Sequence, residues 1–270
     1  VKLIEGGWQE FELWLAGLHA EHENLQASPL LFRGQSDSEW SLGTTLERNR
    51  QENMSFSDFY RLITARIGPA VSTFTGESVP EYDPNLWDFG NRELLFPSPA
   101  GFPSHQLYRY MVYLRHHGFP SPLLDWSHSP YVAAFFAFRN DRGGKKRSIY
   151  AYCERPTGVK GGTVGEPTIC PLGPYVRGHR RHFLQQSNYT ICGSMDTQDQ
   201  WRFHSHEKVF DQGRPGQDFL WKFDIPSEAR VKVMRLLNDY NLNAFSLFDS
   251  EETLLETMWL REQVLRKRNS

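Results

Sequence analysis

The run His116-His117-Gly118-Phe119-Pro120-Ser121-Pro122-Leu123-Leu124-Asp125-Trp126-Ser127-His128-Ser129-Pro130 constrains the fold more than any other part of this chain. Gln106 to His116 places Leu107, Tyr110, Met111 and Leu114 at helical spacing, and Gly118 can close that helix in a left-handed conformation. Pro120 and Pro122 keep the helix from resuming. Leu123-Leu124-Asp125-Trp126 is short and apolar enough for a buried strand. Ser127 to Ser129 can then cap a second helix whose first position suits Pro130, and the nearly continuous apolar run Tyr131 to Arg139 supplies its body.

The remaining elements follow from the same kind of reading. Trp8, Phe11, Leu15 and Leu18 predict an amphipathic helix over about 8–24. Leu30-Leu31-Phe32-Arg33-Gly34 reads as a short strand stopped by glycine, with Arg33 at its end. Phe56 to Phe74 reads as helix. Tyr82 to Pro103, rich in proline, glycine and aromatics, reads as a long irregular connection and a candidate lid. Strands are expected at Ile149 to Cys153, Tyr189 to Cys192 and Phe219 to Ile225. Helices are expected at Ser227 to Tyr240, with Val231, Met234, Leu237 and Tyr240 inward, and from about Ser250 to Arg266. Short strands separated by dissimilar helices and long loops indicate an α+β fold in a single domain, 1–270, with a core over about 25–255.

Composition bounds the partners. With 270 residues, 39% of them hydrophobic, the chain can bury one sizeable core. Its apolar runs are too short to span a bilayer, which needs roughly 20 apolar residues, so no membrane is expected. Three cysteines, Cys153, Cys170 and Cys192, form no CxxC pair, which argues against a disulfide framework or a closed zinc site and suits the cytoplasm. The net charge of −2 gives no general reason to expect nucleic acid, but 139–181 is locally basic. That stretch is either a solvated face or a place for an anionic partner.

Several residue types point to chemistry. Arg33, beside glycine at the end of an apolar strand, either pairs with a nearby acid or offers its planar fork to phosphate or carboxylate, with Gln35 alongside. His117 and Asp125 share one segment and could form an acid/base pair, although Asp125 could equally cap the following helix. Trp126 is either core or a platform for a nicotinamide or adenine ring. His116 and His128 read as surface residues. The His179, His182, His204 and His206 groups have no HExxH order, so no metal is expected. A phosphate-binding Walker loop, a GxGxxG after a strand and a GxSxG elbow are all missing.

At these residues the chain resembles the FRG domain family, through Phe32-Arg33-Gly34, Trp40-Ser41-Leu42, the segment His116 to Pro130 with Ala133-Ala134-Phe135-Phe136-Ala137 after it, and Arg181 to Thr190. One departure is Ser121-Pro122, where the family has Thr-Arg before Leu-Leu-Asp. The family's order of parts is similar to that of ADP-ribosyltransferases. The resemblance therefore implies that NAD is the substrate, held by Arg33, Gly34, Gln35, Trp126, Ser127 and Tyr189. It implies a catalytic set of Arg33, His117, Asp125 and Gln185, with Glu207 as the late carboxylate if the fold brings it round. It further implies a toxin or phage-defence effector, a macromolecular acceptor (protein, or nucleic acid reached through 139–181) and an antitoxin partner. A non-catalytic nucleotide or nucleic-acid binder and a protein interaction module stand as alternatives.

Overall fold

Helix, strand and helix over 105–138 form the centre of the molecule in the computed structural model, which describes residues 1–23, 27–49, 54–83, 104–140, 144–162, 165–173, 180–198 and 200–266. Helix α5 (His105–His116) follows β1 (Lys2–Glu5), α1 (Trp8–Glu23), β2 (Leu31–Gln35), α2 (Thr45–Arg48), α3 (Phe56–Arg61) and α4 (Gly68–Thr75). After it come β3 (Leu124–Ser127), α6 (Pro130–Phe138), β4 (Lys146–Cys153), β5 (Thr168–Pro171) and α7 (Arg180–Leu184). The chain continues with β6 (Ser187–Met195), β7 (Trp201–Phe203), α8 (His206–Gln212), β8 (Phe219–Pro226), α9 (Arg230–Asp239), α10 (Ala244–Phe248) and α11 (Glu251–Trp259). The architecture is α+β.

The turns around the central strand obey the expected local rules. Ser104 caps α5 by accepting from Leu107 N, and Gly118 adopts φ +82° just beyond its end. Ser129 caps α6 through Val132 N, with Pro130 in the first turn. The eight strands build one mixed sheet in the order β1-β8-β4-β2-β3-β6-β5, with β7 hydrogen-bonded to β6. All its pairings are antiparallel except β1 with β8.

This order brings three distant segments side by side. β3 lies between β2 and β6, pairing Phe32 with Ser127 on one side and Asp125 with Tyr189 on the other. One core cluster joins α1, α6 and α9 to β4 and β8 through Phe11, Phe135, Phe138, Ile149, Phe223 and Leu237. A second joins α3 and α5 to β6 and β7 through Phe56, Ile63, Met111, Tyr189 and Phe203. A third, with Leu31, Leu124, Trp126, Tyr152 and Phe210, ties the strands to α8.

Several expectations need correction. Arg33 sits in the middle of β2, opposite Tyr150, because Gly34 does not stop the strand. The glycine is there for packing: a Cβ at Gly34 would collide with the carbonyl oxygen of Ala133 in α6. The helical run from Phe56 to Thr75 contains a π-helical stretch, Leu62–Ile67. In α9 Val233, Met234 and Leu237 are buried, whereas Tyr240 is exposed. Of the candidate lid, 84–103 lies outside the described residues. Strands β1, β5 and β7 and the short helices α2, α7, α8 and α10 have no expectation to match. No helix among the described residues is long and apolar enough to cross a membrane, and the three cysteines are free thiols.

Candidate functional site

A cavity of about 240 Å³ opens where β2, β3 and β6 meet the ends of α5 and α10. Its charged wall is built from Arg33 of β2, Asp125 of β3 and Arg115 in the last turn of α5. Arg33 Nη1 donates to Asp125 Oδ1 at 2.5 Å and to the Asp125 carbonyl oxygen at 2.9 Å. Arg115 Nη2 donates to the same Oδ1, while its Nη1 reaches Thr45 Oγ1 at 3.3 Å. Both guanidinium side chains are about nine-tenths buried, at 10% and 11% exposure.

The electrostatics follow from this arrangement. Burial pushes the Asp125 carboxyl upward, but the two arginines outweigh it and hold the group well below the usual carboxylate range. Two cations face one anion, so the wall carries excess positive charge; apart from the His116 imidazole, the other described lining residues have no ionisable acid or base save the Tyr189 phenol. Arg33 Nε is buried without a hydrogen-bond partner. A buried guanidinium N–H left unmatched is costly, a cost set against the two bonds that Arg33 Nη1 makes to Asp125.

The rest of the wall is polar on one side and aromatic on the other. Tyr189 Oη lies 2.9 Å from His116 Nε2, and burial, reinforced by Asp125, raises the phenol's pKa, so it stays protonated. Gln185 comes from the turn that enters β6, where its carbonyl accepts from Ser127 Oγ at 2.8 Å and its Nε2 donates to Leu247 O at 3.1 Å. Phe136 and Phe248 meet edge to face at 5.9 Å. Arg139 lies over the Phe248 ring at 4.5 Å and forks onto Glu256 at 2.7 and 2.5 Å.

The fold thus gathers Arg33, Gly34, Asp125, Trp126, Ser127, Gln185 and Tyr189 around one cavity, and separates the others. His117 is not paired with Asp125. Its ring packs 4.4 Å from Tyr113 and lines a separate cavity between α4 and α5, because the Gly118 turn follows immediately. Gln35 is buried and donates to Ser41 O. Glu207 opens α8, accepts from Leu42 N at 2.7 Å and lines a different cavity with Glu47, Arg48 and His204. Trp126 borders the site, but its indole stacks on Tyr152 at 5.3 Å and donates to Thr190 Oγ1, so it is no free platform.

Arg115, His116, Thr45 and Phe248 are site residues that sequence reasoning missed. A cation in the last turn of the helix that runs into the central segment was the available signal for Arg115. Among the described residues of the basic stretch 139–181, Arg147 is buried and donates to Ser36 O, Lys160 reaches Asp218 at 2.7 Å, and Lys146 pairs with Glu5 at 2.8 Å. His206, fully buried, bonds Thr190 Oγ1 at 2.8 Å, and burial depresses its pKa to about 3. Among the described residues no group of His, Cys, Asp and Glu is arranged to hold a metal ion.

The family model described as the FRG domain matches residues 28–146, which takes in β2, α5, β3 and α6. No curated protein and no solved structure matches the chain.

Proposed function

Because this chain carries an FRG domain, we propose that the cavity between β2, β3 and β6 binds NAD and that the protein transfers ADP-ribose to a macromolecule. The observation that carries this reading is the meeting of Arg33, Asp125 to Ser127, Ser187 and Tyr189 on three neighbouring strands, with Gln185 from the turn before β6, around one positively charged cavity. The Arg33 and Arg115 guanidinium groups on the cavity wall would hold the pyrophosphate. Asp125 keeps both guanidinium planes in place, and the Phe136–Phe248 pair offers an apolar wall for a ring.

In the transfer, the bond between ribose C1′ and nicotinamide breaks, and nicotinamide leaves with the electron pair. An acceptor oxygen or nitrogen bonds to C1′ and gives up its proton. Holding the pyrophosphate and ribose still while that carbon is attacked is the main contribution such a site makes. The proton would pass to the His116–Tyr189 pair at the cavity wall, whose Nε2 and Oη lie 2.9 Å apart. An effector of this kind would act as a toxin or in phage defence, with an antitoxin to silence it.

A second reading, nucleotide binding without transfer, has one observation in its favour. The only carboxylate among the described lining residues, Asp125, is held by two guanidinium groups, so its charge is already spent where an oxocarbenium-like centre would need it. Calorimetric titration with NAD, ADP and adenosine tests the binding step shared by both readings. Binding of NAD and ADP, weak binding of adenosine, and loss in Arg33→Lys are expected. Equal affinity for all three would remove the phosphate-binding role.

A further inference from the structure

Helix α11 is turned the wrong way round for a helix on the outside of a monomer. Its buried residues are Thr253 and Thr257, whose hydroxyls bond Ser250 and Asn243. Its large apolar side chains point outward: Leu254 is 40% exposed, Leu255 69%, Met258 45% and Trp259 67%. A surface helix ordinarily buries its apolar stripe, and single exposed apolar residues need no explanation, but four in one short helix do. They stand at i, i+4 spacing, Leu254 with Met258 and Leu255 with Trp259, so they form two adjacent ridges of the kind that pack against another helix.

The charges flanking these ridges identify the occupant. Exposed Glu251 and Glu252 lie at the start of α11. Arg261 lies in the π-helical turn Leu260–Leu265 that follows it and donates to Asn238, and Arg266, just past that turn, pairs with Glu262. Acids before an apolar centre and a net positive charge after it, Arg261 and Arg266 against Glu262, make the helix complementary to itself when two copies run antiparallel. In an isologous contact Glu252 of each copy then faces Arg261 of the other. The helix dipoles also oppose favourably in that arrangement.

We propose that two copies of this chain associate through α11, packed antiparallel across the Leu254, Leu255, Met258 and Trp259 ridges. Sedimentation velocity over a range of protein concentrations, with wild type, Trp259→Glu, Glu252→Arg, Arg261→Glu and the Glu252→Arg/Arg261→Glu double variant, tests this. The expected result is a reversible wild-type dimer, at least tenfold weaker association in each single variant, and recovery in the double variant, because each swapped pair is restored across the two-fold axis. A wild type that stays monomeric at all concentrations would overturn the proposal, including one that recruits a different protein through this helix. So would a dimer indifferent to the α11 substitutions.

Discussion

Arg33 and Asp125 are 92 positions apart in the sequence and 2.5 Å apart in the fold, joined across adjacent strands, with Arg115 on the same carboxylate oxygen. One acid thus orients two arginines, and the cavity keeps a positive charge that its own residues do not cancel. Removing the acid and removing an arginine should therefore have different consequences.

Asp125→Ala leaves two largely buried guanidinium groups facing each other; because the Asp125 side chain is 45% exposed, the expected stability loss is about 1–3 kcal/mol, below that of a fully buried pair. Arg33→Ala keeps the Arg115–Asp125 pair and should cost less, about 1–2 kcal/mol, while weakening anion binding more. Chemical denaturation together with NAD titration of both variants checks the ordering.

Acid should destabilise the protein through two groups. The Asp125 carboxyl is held low in the folded state, so its contribution is present above the unfolded carboxyl value, about 4, and is lost as pH falls further. His206 stays neutral in the fold down to about pH 3, whereas an unfolded histidine takes up its proton near 6.5. Stability from this burial is complete above about 6.5 and declines on acidification by roughly 1.4 kcal/mol per pH unit. Unfolding followed from pH 7 to pH 4 should be steeper for wild type than for His206→Gln; parallel curves would remove this role.

Gly34→Ala places a methyl group against the Ala133 carbonyl. Backbone on both sides leaves little room to relax, and a loss of about 3 kcal/mol or failure to fold is expected. A variant as stable as wild type would mean that β2 and α6 are farther apart than described.

The two neighbouring histidines should separate cleanly. His116→Ala alters the cavity wall and the contact with Tyr189, and should reduce NAD binding or turnover at least fivefold. His117→Ala lies at the other cavity and should leave both unchanged. Binding and turnover measured on the pair of variants check this; equal losses in both would contradict the placement of His116 alone on the charged cavity's wall.

The central segment was legible because its signals are local. Gly118, Ser129 and Pro130 act on their own neighbours, and each does in the fold what its chemistry requires. The stripe Trp8, Phe11, Leu15 and Leu18 was equally plain, and all four are buried. Strands β5 and β7 escaped notice because they are short and owe their extended form to pairing with β6. The site was half legible. Arg33 and Asp125 stood out as polar groups among apolar ones. That Asp125 would choose Arg33 and Arg115 over His117 depends on strand order and on the rotation of α5 at its last turn, which no local pattern encodes. Glu207 failed as the late carboxylate for the same reason, since α8 carries it to the Leu42 side.

The most direct test of the account is incubation of the folded protein with labelled NAD and a cell lysate, following nicotinamide release and label transfer, with Arg33→Ala alongside. The account predicts release and transfer by wild type and loss of both in a variant that remains folded. A folded wild type that binds NAD yet releases no nicotinamide would contradict transfer and leave a nucleotide-binding pocket in its place.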